Sequence, residues 1–165
     1  MATMSVGIAV EPMKPSDAGE VFALWAARPH AFDQERHRDA FINALGRLAP
    51  PFGAWVVRDG GAVVAFAAVT PMRFNLALRG TMGEFAVYVA ATHLRRGFGR
   101  ALIAFVAGTT HGRDLEWLIA FIGESNAASR ALFASAGWRS IGCVPRTRAR
   151  QAVELHAFEL LEAEA

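Results

Sequence analysis

The spacing of apolar positions changes from period two to helical and back several times along the chain, and those changes mark the elements. VGIAVEPM predicts a first strand at Val6–Val10. Pro15-Ser16-Asp17 then opens a helix with Val21, Leu24 and Trp25 on one face. A second helical segment runs from about Asp33 to Leu48 and stops at Pro50-Pro51. AWVVRDGGAVVAFAAVT reads as two strands around an Asp59-Gly60-Gly61 turn, a strong hairpin signal. GEFAVYVA is a fourth strand. Gly99–Thr109 is a helix with Leu102, Phe105 and Val106 as its buried stripe. A fifth strand, Leu115–Gly123, precedes a short helix, Asn126–Ala136, stopped by Gly137. Two last strands cover about Trp138–Val144 and Ala152–Leu160, and the tail LEAEA frays.

The predicted order is β-α-α-β-β-β-α-β-α-β-β. The strand–helix–strand unit in the middle reads as a right-handed parallel crossover, and the rest as antiparallel hairpins. The expected class is α/β (mixed α+β): one domain over residues 1–165, with a mixed, mostly antiparallel sheet of seven strands and helices on both faces.

Composition narrows the function classes. Hydrophobic residues make up 53% of the chain, enough for a packed core. No apolar run approaches the roughly 18 residues of a membrane span, and the first residues lack the basic start of a secretory signal. Cys143 is the one cysteine, so no internal disulfide forms, and the expectation is a cytoplasmic protein. The histidines show no metal-ligand spacing, so no metal is expected. A net charge of +2 speaks against a nucleic-acid partner. The positive charge is uneven, however. Arg139, Arg146, Arg148 and Arg150 form one group, read as a solvated edge hairpin or as a partner surface with steep salt dependence. Arg95, Arg96 and Arg100 form the other.

That second group sits where VYVAATHLRRGFGRAL turns from strand to helix, with Gly97 and Gly99 around Phe98. A P-loop would need G-x-x-x-x-G-K-[ST], which the chain lacks. A dinucleotide fingerprint would need a third glycine or alanine where Leu102 stands. Two readings stay open: an anion nest made of converging N–H groups, a helix N-terminus and flanking arginines, or a tight turn with solvated arginines.

V-Y-V-x-x-x-H-x-x-R-G-x-G-R-A-L followed by N-x-x-S-x-x-L-F-x-x-x-G-W resembles the GCN5-related N-acetyltransferases, and within them the phosphinothricin acetyltransferase branch. The likeness covers Glu84 to Gly142, and the hairpin fits it as well. It implies acetyl-CoA as cosubstrate, with its pyrophosphate on Arg95, Arg96, Gly97, Phe98, Gly99 and Arg100. The pantetheine arm would pair with the backbone of Val87, Tyr88 and Val89, and Asn126 would contact the same arm, alone or in addition to capping its helix.

The resemblance also makes Glu84 the general base, in surroundings of Met82 and Phe85 that would raise its pKa, with Glu124 in reserve. An N–H near Val87–Val89, freed by a bulge, would hold the oxyanion. The implied function is acetyl transfer to the primary amine of a small molecule by direct attack. A non-catalytic acyl-CoA-binding module of the same fold is the alternative, and a homodimer is part of the expectation. The chain departs from the family pattern in three places. Leu94 replaces the leading Gln or Arg of the loop motif. Phe133 stands where relatives carry a tyrosine or histidine donor. Trp25, His30 and Phe32 occupy the branch's acidic-substrate stretch. His93 is read as structural, and the tryptophans as core.

Overall fold

A computed structural model describes residues 7–28, 35–72, 81–110, 115–145 and 151–160. The expected Val6, the stretch His30–Phe32–Asp33, Arg146, Arg148, Arg150 and the tail lie outside the described residues. The strands are β1 Glu11–Pro12, β2 Gly53–Asp59, β3 Ala62–Pro71, β4 Met82–Val89, β5 Trp117–Gly123, β6 Arg139–Val144 and β7 Val153–Glu159. The α-helices are α1 Ala18–Ala26, α2 Arg38–Gly46, α3 Phe98–Thr110 and α4 Ala127–Ser135, the first two entered by short 3-10 turns. The sheet has seven strands in the order β1-β2-β3-β4-β5-β7-β6. Only β4 and β5 run parallel, joined by α3 as the crossover. The predicted fold class and element order hold.

The hairpin turn has Gly60 and Gly61 both at positive φ, the two-residue loop that suits the twist of paired strands. The first strand is the clearest difference from expectation. Pairing with β2 occurs at Glu11 and Pro12, and the described residues 7–10 of the expected strand are not paired. Ile8 and Val10 pack against the core instead.

Two hydrophobic clusters occupy opposite faces of the sheet. Phe98, Leu102, Ile103 and Val106 of α3, with Phe133 and Trp138 around α4, bury one face. Val21 of α1 and Leu45 of α2 cover Val56, Val63, Phe66 and Ala68 on the other. The stripe of α3 therefore runs through Phe98, Leu102, Ile103, Val106 and Thr110, and Phe105 falls on its flank, 38% exposed.

Polar groups fasten the two helices that border the site. Arg130 of α4 donates to Glu154 Oε1 at 2.9 Å, and His156 Nε2 lies 3.1 Å from Glu154 Oε2. Those contacts, led by His156, hold the Glu154 carboxyl below its ordinary range and tie α4 to β7. At the start of α1, buried Asp17 accepts from Arg58 at 2.6 Å and from the Lys14 N–H at 2.8 Å. Burial alone would raise the Asp17 pKa, but the Arg58 hydrogen bond, the Lys14 N–H and the charges of both residues outweigh it and lower it. A carboxyl with a depressed folded pKa adds stability above its unfolded value of about 3.9, and loses it as pH falls through the folded value. The stability difference between wild type and Asp17→Asn is thus expected to be full at neutral pH and to vanish in strong acid, as read by denaturant titration across that range.

Candidate active site

The site is built on a fork in the sheet. β4 pairs with β5 only through Met82↔Trp117, Gly83↔Leu118 and Glu84↔Ile119, although β4 continues to Val89 and β5 to Gly123. On its other edge β4 is paired with β3 without a break from Gly83 to Val89. Ala90 donates to Val64 O, so alternation along the antiparallel ladder points the N–H and C=O of the even-numbered β4 residues at β3. Those of Phe85, Val87 and Val89 point into the fork. The opening of the fork, rather than the expected bulge, therefore leaves β4 backbone groups for a ligand; the β3–β4 register shows no bulge.

Gly83 makes the closed end of the fork tight. A Cβ there would sit 2.5 Å from Val69 Cγ1 and 3.3 Å from Leu115 and Leu118 side-chain carbons. Only glycine lets β3, β4 and the start of β5 approach this closely. Glu84 consequently lies within the sheet, between Thr70 of β3 and Ile119 of β5, and not on a surface turn. Strand alternation directs Phe85 to the opposite face, so Phe85 does not surround the carboxylate as expected; Met82 and Ile119 share its face.

On the α3–α4 side the fork opens into a cleft of about 720 Å³. Val87 and Val89 form one wall, Leu132 and Ser135 of α4 another, and the loop from His93 to Arg100 closes the end. Two features shape that loop. Gly97 has φ +87° and Arg95 φ +61°, two left-handed positions on either side of Arg96 just before α3 begins. Asp59, at the tip of the β2–β3 hairpin, accepts from Arg96 at 2.9 Å and lies 3.3 Å from His93 Nε2. The Arg96 guanidinium also lies over the Phe98 ring, 5.2 Å from its centroid.

The three arginines thus divide. Arg95 and Arg100 line the cleft and make no ion pair among the described residues, whereas Arg96 does not line it and braces the loop. Val87, Val89, Gly97, Phe98, Gly99 and Asn126 also line the cleft. Tyr88 does not. Its backbone faces β3, and its ring stacks on Phe66 at 5.0 Å on the α1–α2 face. Asn126 caps α4, accepting from Ser129 N–H at 3.1 Å, which leaves its NH2 group for the cleft.

The sequence profile of the acetyltransferase (GNAT) family matches residues 19–138. The chain belongs to that family. No curated protein sequence matches it significantly. Among solved structures, yncA from Salmonella typhimurium with its cofactor acetyl-CoA is similar at a TM-score of 0.80 and 19% identity, covering 96% of each chain. A ribosomal-protein-alanine N-acetyltransferase from Brucella melitensis aligns at 0.79 with 25% identity, over 93% of this chain and all of its own. A phosphinothricin acetyltransferase from Sinorhizobium meliloti in complex with acetyl-CoA aligns at 0.77 with 18% identity, over 94% of this chain and 89% of its own.

In this acetyltransferase Arg28 is the site residue that sequence reasoning missed. It follows α1, lines the cleft and donates from Nη2 to Val89 O at 3.1 Å, across 61 positions of sequence. No local signal marks it; only the packing of α1 on β3 and β4 brings it there. Asp59 was seen as a turn residue, but not as the brace of the loop. Glu124 is exposed on the turn after β5, beyond the open end of the fork, away from Glu84. Phe133 is buried between Phe85 and Trp138, with ring centroids at 5.8 and 4.8 Å. No helix among the described residues is long and apolar enough to cross a membrane.

A second recess lies on the opposite face, next to Glu84. Met82, Trp117, Ile119, Ala157, Ile141, Ser140 and Arg139 line a groove of about 340 Å³. The Tyr88 hydroxyl is pushed above the ordinary tyrosine range by burial and then by the Glu84 charge, against the opposing effects of Arg28 and Trp25. Glu84 and Tyr88 thus share this face, with Trp25 and Arg28 near the Tyr88 hydroxyl.

Proposed function

We propose that the protein transfers an acetyl group from acetyl-CoA to the primary amine of a small molecule by direct attack, with Glu84 as general base. The observation that carries this reading is the end of β4–β5 pairing at Glu84↔Ile119. It makes Glu84 the last residue of β4 that pairs with β5, beside Met82 and Ile119 of the groove on its own face and three residues before Val87 of the cleft.

The residues of the cleft fit acetyl-CoA. Arg95, Arg100 and the N–H groups at the start of α3 suit a pyrophosphate. The outward backbone groups of Val87 and the Val89 N–H suit an extended amide-bearing arm; the Val89 carbonyl is already bonded to Arg28. When bound, acetyl-CoA supplies an acetyl group on a thiolate leaving group with a pKa of about 8.5. Glu84 accepts the proton of the attacking amine. A β4 N–H directed into the fork donates to the acetyl oxygen as charge builds on it. Arg96 and Asp59 keep the loop in its binding shape. A cytoplasmic site of action and a homodimer belong to the same reading, the first because the lone, exposed Cys143 suits a reducing compartment.

Calorimetry with acetyl-CoA, followed by thiol release with a panel of amines, tests this reading. Binding without thiol release from any amine would favour the non-catalytic module. A pH profile adds a finer test. Phe133 cannot protonate a departing sulfur, and Tyr88, the one tyrosine, is held neutral beyond its usual range. We therefore expect kcat/KM to rise along a single limb and stay flat to about pH 9, and Phe133→Tyr to change it by less than about tenfold. A descending limb common to amines of different pKa would show that another group acts as the acid, with Cys143→Ala the first variant to examine.

A further inference from the structure

The groove beside Glu84 has a chemistry of its own. On the α1–α2 face, α1 packs on β3 and β4, and no described helix packs extensively over the β5–β7–β6 half. On this face of that half Ile119 pairs with Ala157, both buried, with Trp117 half-buried beside them and Ile141 55% exposed at the edge. Met82, two residues before Glu84 on the same face of β4, continues the surface up to the carboxylate. The charged lining residue is Arg139. Its guanidinium lies 5.8 Å from the Trp117 ring centroid and 3.8 Å from Glu159 at the rim. No carboxylate lines the groove among the described residues.

Among the described residues, this groove adjoins Glu84 on its own face through Met82 and Ile119, so an acceptor whose amine reaches Glu84 can lay the rest of its body here. A polyamine or aminoglycoside would bring further cations onto an apolar floor and toward Arg139. Both the desolvation of those cations and the like charge oppose it. An uncharged apolar body gains by covering Met82, Trp117 and Ile141, which keep apolar surface in water. Resting on the N-acetyltransfer reading above, we propose that the acceptor is a small monoamine whose amino group is joined by a short linker to an apolar or aromatic body, and that this groove holds that body.

The structure supplies a gauge of size as well. A volume of about 340 Å³ accommodates a single ring and its linker. Methylenes that fill such a pocket raise kcat/KM by about tenfold or more each. Rates should therefore climb from ethylamine to 2-phenylethylamine.

The test measures thiol release with ethylamine, 2-phenylethylamine, spermidine and a short peptide with a free N-terminus, beside acetyl-CoA calorimetry. Expected is a preference of at least about tenfold for 2-phenylethylamine over the others, through kcat/KM. Ile141→Glu, on the exposed edge strand and so harmless to folding, should cut that preference by a similar factor and favour spermidine. Ile141→Ser should lower 2-phenylethylamine turnover without favouring spermidine. Bound acetyl-CoA with turnover of spermidine or of the peptide, but not of 2-phenylethylamine, overturns the groove assignment and leaves acetyl transfer standing. So does a preference that Ile141→Glu fails to move. Failure to bind acetyl-CoA overturns the acetyl-transfer reading itself, and this assignment with it.

Discussion

Glu84→Gln is expected to lower turnover about 10²–10⁴-fold, the range for losing a positioned general base, while acetyl-CoA affinity stays near wild type. The substitution keeps shape and polarity and removes only the ability to take a proton. Glu84 pairs through its backbone with Thr70 on one side and Ile119 on the other, so the strand that carries it has little freedom to shift. The loss should therefore appear in kcat, with circular dichroism and calorimetry unchanged. It should also be largest for amines of high pKa, whose protons are hardest to remove. If Glu84→Gln keeps most of its activity and Glu124→Gln loses it, the roles are reversed. The structure makes that outcome hard to accommodate, because Glu124 is exposed beyond the open end of the fork.

The elements were legible because each is written in local chemistry. Gly60-Gly61 dictates a two-residue hairpin, Asn126 a helix start, and Gly137, at φ +86°, a helix end. Strand alternation, applied to Glu84 and Tyr88, would have placed both side chains on the face away from Val87 and Val89. What the sequence reading lacked was which face the cleft opens on, and that depends on α3 and α4 crossing β4 and β5 on one side. Distance along the chain hid the rest. Asp59 with Arg96, and Arg28 with the Val89 carbonyl, are contacts between segments far apart in sequence, and no spacing rule reaches them. Of the strand expected at Val6–Val10, the described residues 7–10 join no ladder; their apolar alternation serves packing, with Ile8 and Val10 set against the core.

The same division between local and distant causes separates the two loop glycines, and it sets the second large effect. Gly97→Val is expected to weaken acetyl-CoA binding by about 1–3 kcal/mol, roughly a five- to 150-fold rise in Kd, without unfolding the protein. Gly97 has φ +87°, a conformation that a β-branched residue essentially never adopts, so the backbone there must move. Among the described residues, the one atom beyond the adjoining residues that a Cβ there would approach within 4 Å is Ile8 Cδ1, at 3.5 Å, so the core has little reason to object. What changes is the direction of the N–H groups between Arg95 and the first turn of α3. Gly99→Val is a poorer probe, because its Cβ would meet Leu132 Cδ2 at 3.0 Å and push α3 away from α4. Arg95→Ala and Arg100→Ala should each weaken binding in a salt-dependent way, since both line the cleft. Arg96→Ala should act through the loop it braces against Asp59, and Asp59→Asn should reproduce its effect. A folded Gly97→Val protein that binds acetyl-CoA as wild type does would remove the loop from the binding site and leave its arginines as solvated charge on a tight turn.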